Sequence, residues 1–217
     1  MPYFDKKSGK YRATKMINGK RKNKMFKSKS EAKRWEAQQT EEVWNDVPQN
    51  SDFWKVYAVA RPQDQVFLLT LLHTGARRGE LLKLTWADLD FENGKIRLWT
   101  RKRKGGSLEY DWLPLTNRLR QALSEHYKQR VGEHVFSTED GSPYKWRQHL
   151  MKILCKRAGV KHFTFHGIRH LTASILAQEG VDIPTIQAIL RHKNSMTTTR
   201  YIHRLGITKN VLEDVFG

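Results

Sequence analysis

The chain predicts an α+β protein: a mostly helical domain carrying a small antiparallel β-hairpin or sheet, preceded by a small unit of three-stranded sheet plus one helix. Three observations lead there. Two short, alternating, basic runs near the N-terminus flank Asn18-Gly19, the strongest short hairpin signal. Apolar residues then recur at helical spacing through most segments after residue 53. In their midst two β-rich runs, Ile96 to Trp99 and Tyr110 to Leu113, flank the glycine-bearing stretch "KRKGGS".

Taken in order, "KYRATKM" and "KRKNKMF" are the predicted basic strands. "SKSEAKRWEAQQTEEVW" follows as a helix with Ser30 as its N-cap, and Ala32, Trp35 and Val43 can face the sheet. Residues 1–45 form this first unit. The polar, proline-bearing stretch 46–52 reads as a linker, and residues 53–217 as the second domain. There, Gln63 to His73 is a buried helix closed by Gly75, and Arg78 to Leu84 starts another. Asn117 to Gln129 and Lys145 to Ala158 are amphipathic, while His166 to Gln178, Ile183 to Leu190 and Ser195 to Ile202 complete the helices. The tail sets Ile207, Val211, Leu212 and Val215 on one stripe.

The net charge of +18 over 217 residues exceeds what solubility needs and points to a polyanionic partner. It is unevenly spread: residues 1–45 hold 13 Lys and Arg against 5 Asp and Glu. The longest apolar run, Val66 to Leu72, is too short to span a bilayer, so no membrane partner is expected. The N-terminus lacks an apolar signal core. A single cysteine, Cys155, excludes an internal disulfide and suits a reducing cytosol. A cytoplasmic, nucleic-acid-associated protein is the expectation, with double-stranded DNA as partner. Basic β-ribbons can enter a DNA groove, which makes Arg12, Lys15, Lys20, Arg21, Lys22 and Lys24 candidate DNA contacts. The competing reading of lysine-rich strands is a solvated edge protected against aggregation.

Three clusters stand apart: "HTGARRGELLKLTW" (His73 to Trp86), "HGIRH" (His166 to His170) and "ILRHKNSMTTTRYIH" (Ile189 to His203). Together they resemble the tyrosine recombinases, the phage-type integrases, over roughly residues 53–205. That family's pattern runs T-G-x-R-x-x-E-L, a hairpin lysine, H-x-x-R-H, then L-G-H with T-T-x-x-Y nine residues after that histidine. The matching residues are Thr74 to Leu81, His166 to His170, Leu190-Arg191-His192 and Thr197 to Tyr201. Cleaving a DNA phosphodiester builds negative charge at phosphorus, and arginine's planar, permanently charged fork suits that charge.

The resemblance implies that Arg77 and Arg169 clamp the scissile phosphate and that His166 and His192 bind and polarise it. Tyr201 is then the nucleophile, giving a 3′-phosphotyrosyl link that can be resealed without ATP; no metal or other cofactor is needed. Glu80 reads as a buttress for Arg77, and His170 and His203 as structural or supporting. Arg78 and Arg200 read as DNA-backbone contacts. A hairpin lysine supplies the leaving-group proton in the family. Counting from the strand start favours Lys102, while counting back from Pro114 favours Lys104; Lys102 is preferred.

Two departures stand out. Arg191 replaces the family's glycine, at a cost of about 1 kcal/mol if its backbone is left-handed. The first unit resembles the family's arm-binding part and leads almost directly into the catalytic part, leaving no room for the usual helical core-binding part. The leading expectation is a site-specific recombinase or integrase in a shortened chain. It would assemble as a homo-oligomer, a tetramer on DNA, through the C-terminal tail, with accessory DNA-bending proteins as further partners. The alternatives are a DNA-binding regulator or remnant that occupies integrase sites, and a nicking-closing, topoisomerase-like activity alone.

Overall fold

A computed structural model describes residues 2–17, 20–44, 47–101 and 108–191; side chains of residues 15–17, 20–21, 37–44 and 101 are outside the description. The chain divides into two compact units, residues 1–48 and 49–217.

In the first unit, β1 (Tyr3–Asp5), β2 (Lys10–Ile17) and β3 (Lys20–Phe26) form an antiparallel sheet in that order. Gly9, with φ of 63°, closes the turn from β1, its N–H donating to the Asp5 carbonyl at 3.0 Å. The β2–β3 register runs from Tyr11↔Phe26 to Ile17↔Lys20, and the Asn18-Gly19 turn lies outside the described residues. Helix α1 (Lys29–Trp44) packs on this sheet. Ala13 and Ala32 are fully buried, and Trp35 tilts against Phe26 at 5.8 Å between ring centroids. A hairpin alone is marginal in water; a third strand and a packed helix make such a unit viable.

The N-cap of α1 differs from the expectation. Ser28, not Ser30, accepts from the Glu31 N–H at 3.2 Å, while the Glu31 carboxylate accepts from the Ser28 N–H at 3.3 Å. Serine followed three residues later by glutamate is a reciprocal cap, and satisfying two donors at once selects it over Ser30.

The second unit begins with α2 (Asn50–Ala58), which takes up residues 50–52 that the sequence reading placed in the linker. Its axis is α3 (Pro62–Thr74), opened by Pro62 and closed at Gly75, whose φ is 56°. Phe67, Leu68, Leu69 and Leu71 on α3 are at most 1% exposed. The Phe67 ring meets Phe136 at 4.8 Å and Phe165 at 5.7 Å. Burial of each such side chain contributes about 1.5–3 kcal/mol. Helix α4 (Arg78–Leu81) stops before the predicted Leu84. The reason lies in Leu84 and Thr85, which are drawn into backbone pairing with the His134–Val135 segment.

After a 3-10 turn (Trp86–Asp88), β4 (Leu89–Asp90), β5 (Lys95–Arg101) and β6 (Leu108–Pro114) form a second antiparallel sheet. Ile96 and Leu98 are buried on one face. On the other, Arg97 lies over Trp99, Tyr110 and Trp112 and bonds Asp88 at 2.8 Å. The hairpin tip, residues 102–107, is outside the description.

Helix α5 (Asn117–Lys128) is capped by Thr116, which accepts from the Leu119 N–H. Helix α6 (Leu150–Arg157) starts five residues later than the predicted Lys145. Arg147 explains the delay: its guanidinium pairs with buried Asp64 and lies against the Phe67 and Tyr144 rings, holding residues 145–149 off the helix. Helix α7 (Phe165–Gln178), capped by Thr164, is tied to α3 by Thr172, whose hydroxyl donates to the Leu72 carbonyl at 2.8 Å. Helix α8 (Ile183–Leu190), capped by Asp182, packs on α7 through Ile186 and Leu190.

Candidate active site

Three chain segments remote in sequence meet where α3 ends, α7 begins and α8 ends. Gly75 is the hinge of this meeting. Its left-handed backbone already favours glycine, and an added Cβ would lie 2.4 Å from the Leu190 side chain. Glycine therefore lets the end of α8 approach the end of α3.

Arg169, 2% exposed on the first turns of α7, bridges the two, donating from Nη1 to the Gly75 carbonyl and from Nη2 to the Leu190 carbonyl. One side chain thus satisfies carbonyls at two helix ends, where a cation is favoured.

Arg77 precedes α4. Its Nη1 donates to Glu80 Oε1 at 2.8 Å, and its backbone N–H to Glu80 Oε2 at 2.9 Å. Its side chain remains 47% exposed, so the guanidinium is held at one edge and open at the other. Glu80 is 8% exposed. Burial alone would raise its carboxyl pKa, but Arg191, the Arg77 N–H and the Arg77 guanidinium outweigh it, and the net pKa is lowered.

Arg191 does adopt the left-handed conformation, with φ of 52°, the one positive-φ non-glycine among the described residues. Its side chain is 5% exposed, and its Nη2 donates to Glu80 Oε2 at 2.6 Å. The strain of a left-handed arginine is thereby offset by a charge-assisted bond. Sequence reasoning recorded Arg191 only as a departure from the pattern and missed its place in the site. The one signal present was a cation at a glycine position, 111 positions from the glutamate it bonds.

His166 stands on the same turn of α7 as Arg169, with the His170 ring 4.2 Å from its own. Burial against the protein, then the charges of Arg169 and Arg77, push its pKa down to about 4. The residue as a whole nevertheless remains exposed. At neutral pH it is an uncharged imidazole, able to donate one hydrogen bond and accept another. Burial first, then Arg77 and Arg191, also depress the pKa of Arg169, to about 9, which leaves it cationic. Three guanidiniums, of Arg77, Arg169 and Arg191, outnumber the two carboxylates in their field, Glu80 and Asp111, so the site carries excess positive charge and suits an anion.

The structure therefore brings together Arg77, Glu80, His166, Arg169 and His170. Lys102, Lys104, His192, Arg200, Tyr201, His203 and the tail stripe lie outside the described residues. Arg78 is half-buried with its guanidinium 5.9 Å from the Phe165 ring centre. On the first sheet, Lys22 and Lys24 are exposed, and Lys24 pairs in register with buried Ala13; Arg12 pairs with Met25 on the opposite face and bonds Asp5 at 3.4 Å. Lys15, Lys20 and Arg21 lie in the same two strands. Among the described residues no group of His, Cys, Asp and Glu could hold a metal ion, and no helix is long and apolar enough to cross a membrane.

This cluster joins the same motif segments whose order sets the chain's resemblance, and comparison with known proteins agrees. The family model of the phage integrase family matches residues 18–206. The chain belongs to the phage integrase family. It is 30% identical over 192 residues to a XerC-like tyrosine recombinase of Caldanaerobacter subterraneus subsp. tengcongensis, across 70% of this chain and 49% of that protein. It is 31% identical over 147 residues to the tyrosine recombinase XerA of Saccharolobus solfataricus, across 67% and 47%. The chain thus spans about half the length of these curated relatives.

Among solved structures, a XerA recombinase superposes with a TM-score of 0.65 at 22% identity, over 78% of this chain and 63% of that one. The Tn1549 transposon integrase, in complex with transposon right end DNA, gives 0.66 at 21% identity, over 78% and 66%. These likenesses establish the fold: a mostly helical domain with a small antiparallel sheet.

Proposed function

We propose that this integrase-family chain breaks and rejoins DNA as a site-specific recombinase, through a 3′-phosphotyrosyl intermediate. The observation that carries the reading is the cluster of Arg77, Arg169 and Arg191 around the Glu80 carboxylate, with neutral His166 alongside. Excess positive charge preorganised in a partly desolvated site stabilises a phosphorane-like transition state without reorganising during the reaction. Removing one such donor typically costs about 10²–10³ in rate.

In this mechanism Arg77 and Arg169 hold the non-bridging oxygens of the scissile phosphate, and His166 donates a hydrogen bond there from its ring N–H. The Tyr201 hydroxyl passes its proton to solvent water and attacks phosphorus. A new phosphotyrosyl bond forms as the bond to the 5′-oxygen breaks. Lys102, or Lys104 two residues on, gives that oxygen its proton. The reverse attack by a 5′-hydroxyl restores the phosphodiester and frees the tyrosine. Glu80 holds Arg77 in place, and His170 supports His166.

Double-stranded DNA is the partner, held by the net charge of +18. Arg12, Lys22 and Lys24 on the first sheet, together with Arg78, contribute backbone contacts. Self-association on DNA is part of the same reading. It is supported by similarity of fold to a lambda integrase solved as a dimer bound to a core site.

Covalent trapping tests this. The protein is incubated with supercoiled plasmid, and with nicked oligonucleotides from the DNA flanking its gene, in EDTA; Tyr201→Phe is the control. A protein–DNA adduct on denaturing gels that disappears with Tyr201→Phe is the expected result. Salt-sensitive binding without any adduct would favour a protein that occupies integrase sites without cutting. Plasmid relaxation without two-site recombination would reduce the activity to nicking and closing.

A further inference from the structure

We infer that Arg191 is a third arginine of the phosphate site, donating to the bound phosphate while Glu80 fastens it. The inference rests on the phosphodiester reading above and adds a residue that the family's pattern, with glycine at this position, does not contain.

The first ground is how little of the Arg191 fork is used. Only Nη2 reaches Glu80; Nε and Nη1 are shut off from solvent and have no hydrogen-bond partner among the described residues. A guanidinium 95% withdrawn from solvent that leaves two donors idle is waiting for an acceptor. The second ground is charge. Glu80 already has a cation in Arg77, so a second is not needed for neutrality. Its neighbours in the field are Arg77, Glu80, the nearby Arg169 and, from the second sheet, Asp111. That surrounding is short of negative charge, and a tetrahedral oxyanion supplies both the charge and the acceptors.

The third ground is backbone. A residue serving only to neutralise Glu80 could stand at a relaxed position, yet this arginine occupies a left-handed one. It does so at the residue directly before His192, where the chain leaves α8 after Leu190. A side chain here reaches the same carboxylate as Arg77 from the opposite end of the site.

The test uses the full chain with isotope-labelled arginine and inorganic phosphate as the probe, followed by NMR of the arginine Nε–H groups. Arg191→Lys assigns the Arg191 signal by its loss. The expected result is that Arg77, Arg169 and Arg191 signals shift together with one dissociation constant. Arg191→Gln then weakens phosphate binding about tenfold, the loss of one charge-assisted contact. Arg191→Gly gives the same weakening in a variant whose backbone is relieved of strain, so misfolding cannot account for it. Shifts at Arg77 and Arg169 with Arg191 unmoved, or unchanged affinity in both variants, overturn the inference and leave the cleavage reading intact. No shift at any of the three overturns both.

Discussion

Two buried carboxylates in the second unit look alike at first sight. Asp64 and Glu80 are 2% and 8% exposed, each follows an arginine three residues earlier in the chain, and each takes a second arginine from far along it. Their surroundings separate them. The distant partner of Asp64, Arg147, lies against the Phe67 and Tyr144 rings, whose faces take up part of its charge. The distant partner of Glu80, Arg191, lies instead in a field where Arg77 and Arg169 outweigh Asp111. The first arrangement ends in the core and serves the fold. The second ends in an unbalanced field, the setting proposed above for the phosphate. Ion pairs of the same composition thus divide by what stands behind the arginine.

Breaking the Asp64 side gives the largest effect. Arg147→Ala leaves a buried carboxylate with only the exposed Arg61, so unfolding in urea should show a loss of about 3–5 kcal/mol. Adduct formation per folded molecule should not change. Arg77→Ala inverts the pattern. The side chain is half exposed, so stability should move by about 1 kcal/mol or less, whereas the rate of adduct formation in single-turnover trapping should drop by about 10²–10³. Gly75→Ala sits between the two: positive φ and contact with Leu190 should lower stability by about 1–3 kcal/mol in thermal unfolding. It should also slow adduct formation, because the strained turn displaces the residue-75 carbonyl that anchors Arg169.

The smallest effect is on pH dependence. His166 binds a proton near pH 6.5 when unfolded but only at about pH 4 when folded, and burial lowers His73 and His126 in the same sense. The unfolded chain is therefore the better proton acceptor, and stability should fall as pH drops from above 6.5 towards 4. The exposure of His166 discounts its share. Below that window the lowered carboxyls of Glu80 and Asp88 add a further loss as they protonate. Urea midpoints against pH should show this slope, and His166→Gln should flatten part of it.

Much of the fold was legible because its signals are local. Gly75 closes α3 through a backbone conformation that glycine favours; Thr116, Thr164 and Asp182 cap helices within three residues of themselves. The misreadings came from distant partners. The Lys145–Ala158 periodicity is real, but Arg147 is claimed by Asp64, 83 positions away by residue number, and the helix waits until Leu150. Helix α4 is cut short by pairing with His134 and Val135. Helix α2 went unread because its first residues are polar and resemble a linker. In the site, motif order named Arg77, Glu80, His166 and Arg169, because their spacing is a property of the chain. Arg191 was legible only as an oddity: its partner Glu80 is 111 positions away, and no local rule connects them.

The double grip of Arg169 has a mechanical side. Its guanidinium joins the end of α8 to the end of α3, and the apolar contacts that hold α8 against α7 lie at Leu190 itself and one turn back at Ile186. Tension on the chain beyond residue 191 therefore meets the Arg191–Glu80 bond first, and then the Leu190 turn that Arg169 and the core hold together. A pull from that side reaches the carboxylate that also holds Arg77 before it reaches the deeper turn of α8.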